Sequence, residues 1–304
     1  MSPVLTPFNP DLTPCAARLV KHCRWLLERG VGLSIFGTNS EANSLAVTEK
    51  RALLDALLEA GIPAARMMPG TGTCSISDTL ELTRHAVRSG CGGVPVLPPF
   101  YYKGVSDEGL FRVFAHLIES VADPRLRIYL YHIPPVSQVG ISLALIERLL
   151  RAYPGTVAGI KDSSGDWNNT RAMLENFQPH GFDVFAGTET VLLSTLRGGG
   201  TGCITATGNV NPAAIVRLYV HWQDAGADEA QLALNSTRAQ FQQFPMIAAM
   251  KAAIAWQSGD AAWATVRPPL VELDPQQTRQ LTDALHACDF QIPAATSLAM
   301  ETRA

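Results

Sequence analysis

The chain has 304 residues, 47% hydrophobic and 17% charged, with 24 Lys and Arg against 27 Asp and Glu for a net charge of −3. That balance excludes a disordered chain and a basic nucleic-acid-binding surface, and the length allows either two domains or one large α/β domain. No run approaches the roughly 18 apolar residues of a membrane span, and the opening MSPVLTPFNP has no basic segment leading into an apolar core, so a cytoplasmic protein is expected.

In chain order, short apolar runs, Gly- or Pro-rich turns and helix-period segments alternate. A first strand is expected near Val4–Thr6, followed by Gly32–Phe36, Arg66–Met68, Gly93–Leu97, Arg127–Tyr131, Val157–Lys161, Phe182–Ala186 and Gly202–Thr205. They number about eight, as a closed (β/α)8 barrel requires. Between them TEKRALLDALLEAG predicts a helix with Thr48 as N-cap and Gly61 as its stop, and SDTLELTRHAVRSG predicts another capped by Ser77 or Asp78 and ended by Gly90. Leu53, Leu54, Leu57 and Leu58 give the first of these an apolar face for the strands. After residue 226 the strand signals stop and the text becomes helical, which divides the chain into a 1–226 barrel and a 227–304 helical appendage.

A doubly wound open sheet would also alternate strand and helix, but its dinucleotide-binding form needs G-x-G-x-x-G after the first strand. GTGTCS at 70–75 lacks the third glycine, and RGGGTG at 197–202 precedes a strand where the motif should follow one. Cys15, Cys23, Cys74, Cys91, Cys203 and Cys288 contain no C-x-x-C pair and read as reduced and mostly buried. The seven histidines have no ligand spacing, so neither a metal nor another cofactor is expected.

Catalytic groups of a parallel barrel come from the C-terminal ends of its strands. Lys161 ends its strand there, as do Tyr131 in RIYLY, the GTNSE turn at 37–41, the Gly187-Thr188-Glu189 turn and Thr205. A solvated lysine marking a strand exit is the bland reading of GIKDSS. A lysine amine held in a barrel mouth has another use. With an ordinary pKa of about 10.4 only about 4 amines in 10,000 are neutral at pH 7, and a value near 7 to 8 raises that to roughly 10 to 50%. A neutral amine attacks a ketone or aldehyde carbonyl to give a Schiff base, and a phenol such as that of Tyr131 can shuttle the protons.

GTNSE, PPFYYKG, YLYHIPP and GIKDSSGD, in this order and spacing, resemble the dihydrodipicolinate synthase/N-acetylneuraminate lyase family of class I aldolases, over residues 5 to about 226. The resemblance implies a (β/α)8 barrel with C-terminal helices, a homotetramer built of dimers, and a Schiff base between a lysine and pyruvate or another 2-oxo acid. It makes Lys161 that lysine, Tyr131 the relay tyrosine, and Tyr102 the tyrosine lent across the dimer interface. It places Thr38 and Asn39 on the substrate carboxylate, and Gly187, Glu189 and Ile204 along the substrate.

The pattern also departs from the family's synthases, which usually read G-T-T-G-E. Here Asn39 replaces a threonine and Ser40 a glycine; an amide cannot relay a proton by rotating one O–H. No arginine lies between Arg127 and Arg148, and Val136 falls at or beside the place where synthases carry the arginine that meets aspartate semialdehyde. His132 replaces the usual asparagine and joins the substrate-binding candidates, and Glu189 stands where sugar-acid lyases bind substrate hydroxyls. The expected activity is therefore cleavage or dehydration of a hydroxylated 2-oxo acid, such as 4-hydroxy-2-oxoglutarate or a 2-oxo-3-deoxy sugar acid. Alternatives are 4-hydroxy-tetrahydrodipicolinate synthase and an inactive barrel that binds or assembles.

Overall fold

The structure is a computed structural model that describes residues 1–300. Two units make up the chain: Pro63–Thr205, and Met1–Ile62 together with the chain from Ala206 onward.

In Pro63–Thr205 the strands β1 (Val94–Val96), β2 (Ile128–His132), β3 (Val157–Asp162), β4 (Asp183–Ala186) and β5 (Gly202–Cys203) pair in sequence order, all parallel. Parallel neighbours need long crossovers, and helices Asp107–Val121, Leu143–Ala152, Trp167–Phe177 and Leu192–Arg197 supply them. Side chains alternate across a strand, so Val94, Val96, Ile128, Leu130, Ile160 and Val184 join Leu117, Leu145 and Met173 of the helices in one buried core. The opposite face is left to Tyr129, Tyr131, Gly159, Lys161, Asp183 and Phe185. Emptying one of the fully buried core positions, as in Ile160→Ala, would cost about 2–5 kcal/mol.

One irregularity sets the register. Ile128 pairs with Val157 but Tyr129 pairs with Gly159, so Ala158 is an extra residue that advances β3 by one. The advance brings Tyr131 opposite Lys161 and His132 opposite Asp162. Below them the Tyr129 ring lies where a Cβ on Gly93 or on Gly159 would come within 2.6 or 2.8 Å of it, which explains both glycines. Its hydroxyl donates to Asp183 at 2.9 Å. A cavity of 570 Å³ opens beside this layer, lined by Arg127, Tyr129, Leu150, His180, Phe182 and Asp183 among others.

Two strand expectations change in this unit. Arg66 closes a 3-10 turn, Ala64–Arg66, and only the chain beyond it runs beside β1, through Gly92 N–H to Met67 O (3.0 Å) and Thr71 N–H to Pro95 O (3.1 Å). β5 ends at Cys203, although Ile204 N–H still donates to Ala186 O at 2.9 Å.

In the other unit residues 2–4 and 32–34 run parallel, through Ser2 N–H to Gly32 O (2.9 Å), Ser34 N–H to Ser2 O (2.7 Å) and Val4 N–H to Ser34 O (3.2 Å). The expected strand to Phe36 stops short because Phe36 has φ 60°, outside the extended region. Asn209 ties the amino-terminal segment down: its Oδ1 accepts from Leu5 N–H and His22 Nε2–H, both at 3.0 Å, and its amide donates to Pro3 O and Ala206 O. Burial pushes His22 down to about 4, against the pull of Asn209. Helices Ala16–Glu28, Val47–Glu59, Pro212–Val220, Ala227–Gln242, Met246–Ser258 and Pro275–Ala287 complete the unit.

Three smaller expectations are corrected. Helix Val47–Glu59 is capped by Ala46, whose N–H donates to Glu49 at 2.9 Å; Thr48 lies inside it. Ser75, one turn before Asp78, caps Ile76–Arg88 by accepting from Asp78 N–H, so neither Ser77 nor Asp78 is the cap. None of the six cysteines is in a disulfide, and only Cys23 and Cys203 are buried; Cys74, just before the cap of Ile76–Arg88, and Cys288, at the end of Pro275–Ala287, are exposed. No described helix is long and apolar enough to cross a membrane.

Candidate active site

The carboxyl ends of β2, β3 and β4 gather most of the residues singled out in the sequence. Lys161 is 4% exposed, and its Nζ stands 4.2 Å from the centroid of the Tyr131 ring on the adjacent strand. The face of the Tyr131 ring thus lies against the Lys161 amine, where water is scarce. β3 continues one residue past the expected end, to Asp162, because that residue still pairs with His132 and Ala186.

Asp162 is a residue that the sequence reading missed. It is buried, and its carboxylate accepts from Ser164 N–H (2.9 Å), Asn169 Nδ2 (3.1 Å) and Thr170 Oγ1 (2.6 Å). These bonds join the strand end to the start of helix Trp167–Phe177 and fix the backbone that carries Lys161. The signal was present in KDSSGD, since an aspartate before Ser-Ser-Gly favours a side-chain-closed turn. Asp162 O in turn accepts from Gly187 N–H at 2.7 Å. A Cβ on Gly187 would meet Ser163 Oγ at 2.1 Å, so only glycine permits this approach.

Glu189 is 1% exposed and opens the 3-10 turn Glu189–Val191. Thr205 Oγ1 donates to its carboxylate, and Glu189 N–H donates back to the same hydroxyl at 3.2 Å. The carboxylate is thus a buried acceptor tied to the chain just beyond β5. Ile204, fully buried, precedes that threonine.

His132 is buried beside Asp162, and its Nδ1 accepts from Ile141 N–H at 2.9 Å. Burial pushes its pKa down while the Asp162 charge pulls it up, with the fall prevailing. The ring thus stays neutral, with the proton on Nε2, and pins the return of loop 133–141 to the strand end. Val136, on the single helical turn Pro134–Ser137 of that loop, is 63% exposed. Tyr102 is 71% exposed and meets Tyr101 edge-on, with ring centroids 5.3 Å apart.

Thr38 and Asn39 belong to the other unit, in the 3-10 turn Thr38–Ser40. Ser40 builds that turn: its hydroxyl accepts from Gly37 N–H at 3.1 Å, and its carbonyl accepts from Thr6 Oγ1 at 2.7 Å. Glu41 follows at φ 55°, buried, and Lys251 donates to it. Burial pushes the Lys251 ammonium below the ordinary lysine value, against the pull of Glu41. Sequence reading named neither Glu41 nor Lys251 as a partner of the other.

A buried amine and a buried phenol in register on adjacent parallel strands can add to a carbonyl and move its protons, and the protein is a class I aldolase-type lyase of carbon–carbon or carbon–oxygen bonds. Comparison with known proteins gives its lineage. The Dihydrodipicolinate synthetase family pattern matches residues 1–288. An uncharacterized DapA-like lyase of Chloroflexus aurantiacus is 31% identical over 98% of this chain and 97% of its own length. Among solved structures, dihydrodipicolinate synthase from Agrobacterium tumefaciens matches at 31% identity and TM-score 0.86, over 94% of this chain and 98% of that one. YagE from Escherichia coli K12, solved in complex with pyruvate, matches at 28% identity and TM-score 0.87, over 95% and 97%. The chain belongs to the dihydrodipicolinate synthetase family, and its fold class is that family's (β/α)8 barrel with a C-terminal helical appendage.

Proposed function

We propose that Lys161 forms a Schiff base with the C2 carbonyl of pyruvate or of a hydroxylated 2-oxo acid, and that the physiological direction is cleavage or dehydration of the latter. The observation that carries this reading is the buried Lys161 amine 4.2 Å from the Tyr131 ring centre, one strand away and in register. The amine adds to C2, and the carbinolamine loses water to give the imine. In an aldol substrate the C3–C4 bond then breaks, its electrons pass to the imine, and the C4 hydroxyl proton leaves as the aldehyde forms. A proton returned to C3 and water added to C2 release pyruvate and the free amine. Tyr131 moves these protons.

Thr38 and Asn39 bind the substrate carboxylate, with Gly187 and Ile204 beside the chain and Glu189 accepting hydrogen bonds from its hydroxyls. His132 serves the substrate through the loop it holds. The catalytic portion is residues 1–226, with 227–304 as a helical region. Tyr102, so exposed on one protomer, completes the site of a neighbour in a cytoplasmic homotetramer made of two dimers.

Selectivity follows from what loop 133–141 lacks. A charge-assisted hydrogen bond is worth about 1.5 to 3 kcal/mol, or roughly 10- to 150-fold in rate. Aspartate semialdehyde brings a second carboxylate, and no arginine occurs from residue 128 to 147 to meet it.

The test is borohydride reduction with pyruvate and with a panel of 2-oxo acids, read by peptide mass. The adduct should sit on Lys161 and vanish in Lys161→Ala. Labelling of that variant at the wild-type level overturns the mechanism, and no adduct on any lysine favours an inactive barrel. Comparison of kcat/KM for aspartate semialdehyde, 4-hydroxy-2-oxoglutarate and a 2-oxo-3-deoxy sugar acid decides the substrate. A tenfold lead for aspartate semialdehyde makes the protein a synthase.

A further inference from the structure

Helix Met246–Ser258 reads MIAAMKAAIAWQS, and Lys251 is its one charged residue. A lysine in the middle of a buried apolar helix is expensive unless paired. Here its partner lies 210 residues away: Lys251 Nζ donates to Glu41 Oε1, with both side chains at 0% exposure. The ammonium also donates to Thr265 O at 2.8 Å and stands 4.5 Å from the centroid of the Phe8 ring. The other carboxylate oxygen of Glu41 accepts from Arg267 N–H at 2.8 Å. Arg267 extends the tie: its guanidinium grips both oxygens of Glu49, at 2.8 and 2.5 Å, and reaches Ser44 O at 2.6 Å.

Two of these bonds, from Lys251 Nζ and Arg267 N–H, converge on the residue that follows the Thr38–Ser40 turn. Glu41 is left-handed, with φ 55° and ψ 34°, and its N–H donates to Thr38 O at 3.1 Å. A β-carbon disfavours that conformation, so something outside the turn must hold it. Lys251 and Arg267 do so. The turn is thus fixed at one side by Thr6 and Ser40, and at the other by the helical region.

We infer that Glu41 and Lys251 are positioning residues, a buried ionic clamp through which the C-terminal helical region sets the turn that presents Thr38 and Asn39 to the carboxylate of a 2-oxo acid. The turn's role as carboxylate binder rests on the function proposed above. The clamp itself rests on the bonds just described.

The experiment compares wild type with Lys251→Met and with Glu41→Gln/Lys251→Met, which leaves no unpaired charge. Hydrogen exchange of residues 37–42 reads the turn, and borohydride trapping over a pyruvate titration reads the carboxylate site. In Lys251→Met, exchange at 37–42 should quicken at least tenfold while Val157–Asp162 is unchanged. The pyruvate concentration for half-maximal trapping, and KM, should rise at least tenfold, with kcat and saturating adduct within threefold of wild type. The double variant should regain more than half of the lost melting temperature and keep the raised half-saturation.

Unchanged exchange in a folded variant overturns the inference. So does faster exchange with unchanged half-saturation, or a double variant whose half-saturation returns to the wild-type value, which would leave the pair a stabilising role only. If neither variant folds, wild type decides: Ser40 and Glu41 amides should exchange as slowly as the Met246–Ser258 helix, and exchange a hundredfold faster overturns the clamp. If wild type traps no pyruvate on Lys161, the functional proposal fails, and exchange alone decides the clamp.

Discussion

The two units place a buried lysine in opposite circumstances. Lys161, in the Pro63–Thr205 unit, faces the ring of Tyr131 and is kept on its strand by the hydrogen bonds of Asp162, its sequence neighbour. Lys251, in the other unit, is locked in an ion pair with Glu41 and a bond to Thr265 O. A lysine that must add to a carbonyl needs a free lone pair, whereas a lysine that holds a turn needs every proton engaged. On the function proposed above, the same side chain, about equally hidden, serves one role or the other according to what it donates to.

The largest test of that contrast is catalytic. Lys161→Ala should lower kcat by roughly 10⁴-fold or more, as loss of a covalent nucleophile does, and Tyr131→Phe by about 10²- to 10⁴-fold. Both should keep near-wild-type stability in urea, since neither removal strands a charged partner. If Lys161→Ala instead lost stability and kept turnover, the two lysines would have exchanged roles.

Next in size is the stability side. Lys251→Met leaves the Glu41 carboxylate buried and unpaired, and should cost about 3–5 kcal/mol of unfolding free energy. Glu41→Gln/Lys251→Met should cost much less, because a neutral amide can still accept from Arg267 N–H. Urea unfolding of the three chains measures both. A double variant as weak as the single one would mean that the pair contributes net stability, which buried ion pairs seldom do.

How much of this could be read from the sequence divides along the same line. The strands β1 to β4 were legible because each is a short apolar run bounded by turns and helix-period segments, and GIKDSS, YLYHIPP and the Gly187–Glu189 turn mark strand ends within a few residues. What decides the geometry there was not legible: the extra residue Ala158 that brings Lys161 opposite Tyr131 leaves no mark in composition. In the other unit the strands are a few backbone bonds long, and the left-handed φ of Phe36 ends one of them inside the apolar run Leu33–Phe36. The Glu41–Lys251 pair was hidden by its separation, since two residues 210 positions apart share no local pattern. The one clue was a charge in MIAAMKAAIAW, and the helical region read as a mere appendage because nothing in its text names its partner.

The units also differ in how acid should reach them. His22, fully buried, titrates at about 4, well below the roughly 6.5 of an unfolded histidine. Its folded state is neutral, so its contribution is complete above pH 6.5 and is lost as pH falls toward 4. Between pH 7 and pH 5 that amounts to about 2 kcal/mol. Urea unfolding at the two pH values should therefore show a loss of this size in wild type, most of it absent in His22→Gln. An unchanged loss in the variant would place the acid sensitivity elsewhere.

The smallest effect belongs to His132, and it has the same sign. Burial lowers its pKa too, so its neutral ring accepts from Ile141 N–H above pH 6.5, and protonation as the pH falls removes that acceptor. The charge of Asp162 pulls the other way, so this loss as the pH falls is opposed and should be smaller than that of His22. Measured in a His22→Gln background, the residual acid slope should disappear on adding His132→Asn. The loop should respond before the fold does: exchange of Ile141 N–H ought to quicken between pH 7 and pH 5, after correction for intrinsic rate, while Tyr131 and Lys161 amides hold. Equal quickening of all three would mean that the strand end opens as a whole and that Asp162, not His132, keeps it closed.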